Sequence, residues 1–260
     1  MIGRPPLPLL DFDPGLPALI EPGEQISRRE VPEACVVTFF GDAVDRMRSA
    51  GRAAVVAENR WEDGPHPLLR TELGGGEVSL LRCGVGAPMA AGLLEETIAL
   101  GCRAFVVCGG AGALTADLPA DHLLVVGSAV RDEGTSHHYV RPGRVLDTDE
   151  GARAVLEGVL RERGLAFRTG RVWTTDAPYR ETPAKIALRR EEGCLAVEME
   201  AAALAAVAAF RGVPLAQVVY AGDDLSGPTW DARGWRTRTD LREGLLDVAA
   251  AAALRLAADR

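Results

Sequence analysis

Leu195-Ala-Val-Glu-Met-Glu-Ala-Ala-Ala-Leu204 sets two carboxylates, Glu198 and Glu200, inside a small, apolar run that continues to Phe210. A strand ending at Val197 and a helix starting near Met199 put both acids at a strand-to-helix corner. An acidic side chain there gains up to about 1 kcal/mol from the helix dipole. Yet a carboxylate among Ala, Val and Leu costs several kcal/mol unless donors reach it. A vicinal diol brings two donors. The same spacing therefore also fits Glu200 gripping a ribose, with Met199 as a soft wall against the sugar face. On this stretch alone both readings stay open.

Outward from that corner, strands alternate with helices. Strands are expected at Ala34–Phe40, Ala53–Glu58, Leu68–Leu73, Val78–Arg82, Ala104–Cys108, His122–Val126, Phe167–Thr175, Cys194–Val197 and Leu215–Ala221. Helices are expected at Ala43–Ala50, Met89–Leu100, Glu150–Arg163, Pro183–Glu192, Met199–Arg211 and Asp240–Ala258. Gly74-Gly75-Gly76 between two strands signals a hairpin. Asp132 to Arg144 is polar and reads as a loop. The pattern predicts a single-domain, three-layer α/β/α fold with a mixed central sheet over residues 34–260. Residues 1–33, rich in proline, read as an extended arm; Leu9, Leu10 and Leu16 can pack on their own chain or on a partner. In such sheets ligands sit beyond the carboxyl ends of the strands. The Gly109 loop, the Glu200 corner and the Asp223 turn all fall there.

Composition bounds the function. The chain has 260 residues, 47% of them hydrophobic, with a formal charge of −8. The acidic balance argues against a nucleic-acid backbone as partner. It leaves room for a small phosphate site, which needs only a few local cations. Cys35, Cys83, Cys102, Cys108 and Cys194 form no Cys-x-x-Cys pair and read as reduced core thiols of a cytoplasmic protein. No signal peptide and no membrane-length apolar run is evident.

Several segments carry candidate chemistry. Gly41-Asp-Ala-Val-Asp-Arg46 follows the first strong strand. A glycine lets backbone N–H groups approach an anion, and an Arg one turn on adds a fork. The alternative is a helix start with Asp42 as N-cap and Arg46 as its (i, i+4) partner. Gly109-Gly110-Ala-Gly112 ends a buried strand but lacks the spacing of a dinucleotide-binding loop. His137 and His138 are adjacent, with no ligand set of metal-binding spacing around them, and read as loop and interface residues. Asp223 and Asp224 end a strand. Two neighbouring carboxylates raise each other's pKa, so either could hold a proton near neutral pH.

The Glu198–Ala203 segment resembles the ribose-binding signature of the nucleoside phosphorylase family, the branch with uridine phosphorylase, hexameric purine nucleoside phosphorylases and methylthioadenosine nucleosidases. Val130-Arg131-Asp-Glu-Gly-Thr-Ser-His137-His138 is similar to another segment of that family. The resemblance implies reversible phosphorolysis of a purine or pyrimidine nucleoside, with inorganic phosphate as co-substrate and no metal or organic cofactor. It places Glu198, Met199 and Glu200 at the ribose, Gly109 and Gly110 under the sugar and phosphate, and Gly41 and Arg46 at phosphate. Arg60 stands where the family has an Arg reaching a neighbouring subunit, which implies a homo-oligomer; it also reads as a surface residue. Tyr179 falls where an aromatic flanks the base, or it caps its strand. Asp223 falls where purine-cleaving members protonate the departing base.

The sequence also departs from the family. Phosphorolytic members usually carry an Arg two residues before the first glycine of the loop and a Thr just after it. Here these are Val107 and Gly110. No His precedes His66, so the family's N-terminal His at the 5′-hydroxyl is absent. The uracil-reading residues lack counterparts in register, although Arg180 and Glu181 lie nearby. A nucleosidase that uses water, or a non-catalytic nucleoside sensor, are the alternatives.

Overall fold

The computed structural model describes residues 7–13 and 17–259. Its strands are β1 (Ala34–Thr38), β2 (Ala53–Trp61), β3 (Gly64–Leu73), β4 (Gly76–Arg82), β5 (Ala104–Ala113), β6 (Leu123–Asp132), β7 (Val145–Asp147), β8 (Phe167–Thr175), β9 (Cys194–Glu198) and β10 (Leu215–Asp224). Its helices are α1 (Pro22–Gln25), α2 (Gly41–Ser49), α3 (Ala87–Leu100), α4 (Glu150–Glu162), α5 (Pro183–Glu191), α6 (Ala201–Arg211) and α7 (Thr239–Ala258). Strand β1 is buried along its whole length and pairs in parallel with both β4 and β5. That is why its sequence is a continuous apolar run rather than an alternating one. Helices α2, α4 and α7 cover one face of the sheet, and α3 and α6 cover the other. The three layers predicted from the strand–helix alternation are present.

The sheet runs β10-β6-β8-β9-β5-β1-β4-β3-β2, with β7 added to β6 and a further pairing between β10 and β5. Strand β5 therefore has three partners. Its first part lies between β1 and β10, while Gly112 and Ala113 at its end pair antiparallel with β9. The path β5-β10-β6-β8-β9 closes on itself. The glycine run is part of this strand and not the loop expected from its composition. Glycines inside a strand permit bends and close approach of neighbours. A Cβ on Gly109 would meet the Phe39 ring at 3.1 Å, and one on Gly110 the Tyr220 ring at 3.3 Å.

Other boundaries shift. β2 runs three residues past the expected end, so Arg60 lies within a strand. β10 continues through Asp223 and Asp224. α6 begins at Ala201, leaving Met199 and Glu200 in the corner itself. The hairpin turn is built as predicted: Gly74 and Gly75 have φ of 63° and 94°, the left-handed values that a two-residue turn demands.

The polar segment after β6 is a folded loop with a short 3₁₀ turn at Thr135–His138. Arg131 is buried and donates through Nε to Ser136 Oγ at 2.8 Å and through Nη1 to the Arg141 carbonyl at 2.8 Å. Ser136 also bonds to Glu133 through its backbone and its hydroxyl. Burial pushes the buried His137 below its ordinary pKa. The described part of the arm folds back on its own chain. Ile26 and Val31 pack into the α3/α6 core, Arg29 N–H donates to the Leu100 carbonyl, and Glu21 pairs with Arg211 at 2.9 Å. Leu16 lies outside the described residues. No helix among the described residues is long and apolar enough to cross a membrane.

Candidate active site

The corner between β9 and α6 has two carboxylates with different duties. Glu198 is spent on the protein. Its Oε2 accepts from the backbone N–H of Glu200 at 2.8 Å and of Ala201 at 2.6 Å. Its Oε1 accepts from Thr174 Oγ1 at 2.5 Å, and Thr174 Oγ1 in turn accepts from Ala202 N–H at 3.1 Å. The first N–H groups of a helix have no intrahelical partner. Glu198 and Thr174 satisfy those of Glu200, Ala201 and Ala202 from within the sheet, because β8 and β9 pair in parallel with Thr174 opposite Glu198. Burial still pushes the Glu198 carboxyl up, against these bonds.

Glu200 is different. It is 6% exposed, and its Oε1 accepts from Gly86 N–H at 2.6 Å. Gly86 is the N-cap of α3 with φ 106°, a conformation that L side chains rarely adopt. The N-termini of α3 and α6 thus meet at Glu200. Burial, then the neighbouring Glu198 charge, pushes its carboxyl up to about 8. The backbone N–H groups of Gly86 and Met199 work against that rise. A carboxyl so placed gains when a ligand brings N–H or O–H donors. Met199, half-buried, stands between the two acids.

At the end of β10, Asp223 and Asp224 separate in role. Burial opposes ionisation of Asp224, but the Ser226 N–H and Arg233 hold its carboxyl below the usual range. The N–H lies 2.7 Å away and Arg233 forms a close ion pair. Asp224 N–H and carbonyl also bond to Asp231, closing a small loop. Asp224 is thereby engaged by protein donors on both its backbone and its side chain. Asp223 Oδ2 accepts from Trp230 Nε1 at 2.6 Å, and Trp230 is 62% exposed. Glu181 lies beside Asp223. Burial, then the Asp223 charge, pushes Glu181 up to about 7. The sequence places Glu181 near the base only by proximity in the chain; the structure gives it a charged neighbour from another element.

Around α2 the N-cap is Phe40, with no side-chain cap, so Asp42 does not have the capping role open to it. Asp42 Oδ2 accepts from Arg46 at 3.2 Å and its Oδ1 from Arg242 at 2.8 Å. Burial works against this carboxyl, but Arg242 and Arg46 hold it below its ordinary value. Arg46 also donates through Nε to Glu243 at 3.0 Å. Its Nη2 is buried and has no partner among the described residues. Gly41 opens the helix, and its N–H bonds to the Phe39 carbonyl at 3.0 Å. Arg60 is paired with Glu58 at 2.8 Å on an exposed stretch of β2. Tyr179 is 98% exposed. Residues that sequence reasoning passes over are Gly86, Thr174, Trp230 and Arg82. A cavity of 790 Å³ lies elsewhere, lined by Asp147, Ala205, Gly212 and Leu256, away from this chemistry.

Residues 33–258 match the model of the phosphorylase superfamily. The chain belongs to this superfamily. A guanosine phosphorylase of Halorubrum lacusprofundi is 27% identical over 194 residues, covering 74% of this chain and 79% of that protein. A DeoD-type purine nucleoside phosphorylase of Bacillus cytotoxicus is 30% identical over 186 residues, covering 67% and 78%. Among solved structures, a Toxoplasma gondii purine nucleoside phosphorylase bound to immucillin-H superposes with a TM-score of 0.74 at 18% identity, covering 89% of this chain and 94% of that one. An AMP nucleosidase of Bacteroides thetaiotaomicron superposes with a TM-score of 0.70 at 19% identity, covering 89% and 91%. The superfamily member described here thus shares its fold with phosphorylases and with a nucleosidase.

Proposed function

We propose that this protein is a nucleoside phosphorylase that cleaves a purine nucleoside to free base and ribose 1-phosphate. The observation that carries the reading is Glu200, a buried carboxyl at the meeting of two helix N-termini, bound by the Gly86 N–H and able to take the hydroxyls of a ribose. Met199 lies against the sugar. Glu198 acts by positioning, since both its oxygens are occupied by protein donors. Phosphate attacks C1′ as the C1′–N9 bond breaks through an oxocarbenium-like state, and the bonding pair leaves with the base. A purine anion leaves poorly, and a general acid at N7 contributes roughly 10²–10⁴-fold. Asp223, beside Glu181 and reached by Trp230, supplies that proton. Gly41 and Arg46 bind phosphate, with the Gly109–Gly110 segment of β5 beneath. Arg60, on an exposed stretch, reaches the neighbouring subunit of a homo-oligomer in the cytoplasm, and Tyr179, also exposed, flanks the base. No metal or organic cofactor enters the reaction.

A second reading has its own support. Val107 removes the usual cation of the phosphate site, and Arg46 is already paired with Asp42 and Glu243. Both favour water as the nucleophile. The test is a product assay on purine and pyrimidine nucleosides, methylthioadenosine included, each with and without inorganic phosphate. Ribose 1-phosphate formed only with phosphate supports the phosphorylase. Free ribose regardless of phosphate makes the protein a nucleosidase. No product from any nucleoside would leave a sensor.

A further inference from the structure

Arg82 ends β4 directly beside Thr38 of β1, its partner in the parallel register. Its guanidinium lies on the face of Gly41. A Cβ built there would fall 2.7 Å from Nη2, 2.8 Å from Cζ and 3.0 Å from Nε. Gly41 has an ordinary φ, so its backbone does not require glycine; the space is taken by a cation. Nη1 is held by Asp45 at 3.1 and 3.2 Å. That anchor points one edge of the planar fork at Asp45 and leaves Nε and Nη2 against the opening of α2. The side chain of Arg82 is 51% exposed, so these donors are reachable from solvent.

Val107 stands two strands' width from this point on β5, where no cation can be supplied. We propose that Arg82 is a second phosphate-binding cation of this site beside Arg46, delivered from the end of β4 in place of the one missing from β5, and that it selects phosphate over water as the nucleophile. The inference rests on the phosphorylase reading. It assigns a different residue from those the sequence points to, and it explains why position 41 is glycine. A planar fork with two neighbouring donors matches two oxygens of a phosphate. Loss of such a charge-assisted contact costs roughly ten- to a hundredfold in affinity.

The experiment measures initial rates at varied phosphate with saturating nucleoside, and at varied nucleoside with saturating phosphate. Arg82→Gln should raise the KM for phosphate about ten- to a hundredfold and move the KM for nucleoside little. Arg82→Lys keeps the charge without the fork and should fall between. Gly41→Ala places its methyl where the guanidinium lies. The conflicting atoms are the far end of a flexible side chain, so the protein should fold while the KM for phosphate rises. An unchanged phosphate KM in Arg82→Gln, with the wild type still dependent on phosphate, overturns this inference alone, whatever Gly41→Ala does. Turnover by the wild type without any phosphate overturns the phosphorylase reading, and this inference with it. Circular dichroism melts of each variant separate a folding loss from a binding loss.

Discussion

Replacing Glu200 by Gln keeps the shape of the side chain and an oxygen for the Gly86 N–H, but removes the charge. In the free protein the carboxyl titrates near 8 because burial and the Glu198 charge disfavour ionisation. At pH 7 the charged form then costs about 1.4 kcal/mol to generate. Above pH 8 that cost vanishes. A diol donates to the charged form, and charge-assisted hydrogen bonds exceed neutral ones by enough to make the exchange worth about 1.5–3 kcal/mol. The wild type should therefore exceed Glu200→Gln in kcat/KM for a ribonucleoside by roughly 10- to 150-fold at pH 9. Below pH 8 the advantage should shrink by about tenfold per pH unit, because the wild-type acid becomes neutral like the amide. The assay is kcat/KM at saturating phosphate from pH 6 to 9.5. Taking the ratio of the two enzymes cancels every titration they share, including that of phosphate and of the base-end acids. A ratio that stays constant with pH would refute the ribose role of a titrating Glu200. So would a ratio below about threefold at pH 9.

The same group makes a prediction of opposite sign for stability. Its folded pKa lies above the unfolded value of 4.5, so it destabilises the fold progressively as pH rises from there through 8. Glu200→Gln should melt above the wild type at pH 9, with the gap closing towards pH 5 in thermal scans. Asp223→Asn should lower turnover of purine nucleosides by roughly 10²–10⁴-fold and of pyrimidine nucleosides far less; equal losses in the product assay would mean it is not an acid at N7. Gly74→Ala should lose several kcal/mol in a denaturant titration, since its Cβ would fall 2.2 Å from the Ala251 backbone nitrogen at a φ of +63°.

How much of this is legible in the sequence depends on whether a feature is local. β1 is a run whose composition decides its state, and it is found where the apolar pattern puts it. The Glu198-Met199-Glu200 corner is local too, and its position between a strand and a helix is correct. The division of labour inside it is not local. Glu198 is occupied because Thr174 arrives from β8 in register, and Glu200 meets α3 because the Gly86 N–H reaches it. Those contacts join residues 24 and 114 positions apart. The glycines of β5 fail as a loop signal for a related reason. A strand that must pair with β1, β10 and β9 needs close approach at its end, and glycine supplies that without a turn. Asp223 and Asp224 look alike in sequence; Arg233 and Ser226 on one and Trp230 on the other tell them apart.

The choice between phosphate and water turns on charge held near α2. Arg46, Arg82 and Arg242 face Asp42, Asp45 and Glu243, so the cations are already matched by carboxylates. Matching does not mean that the cations are taken. The side chains of Asp45, Glu243 and Asp42 are 58%, 41% and 37% exposed, and pairs this open are worth about 0–1 kcal/mol each. A phosphate seated on a planar fork gains more than that from each charge-assisted contact, about 1.5–3 kcal/mol. Arg82 could keep its Nη1 bond to Asp45 and still present Nε and Nη2, so in its case no exchange is needed. The carboxylates then act as anchors that fix the guanidinium planes before the anion arrives. They also lower the resting attraction for other anions. On this account Asp45→Asn should leave the guanidinium free to swing and raise the phosphate KM, even though it removes a negative charge from the site. A fall in that KM would mean that Asp45 competes with phosphate instead of aiming Arg82.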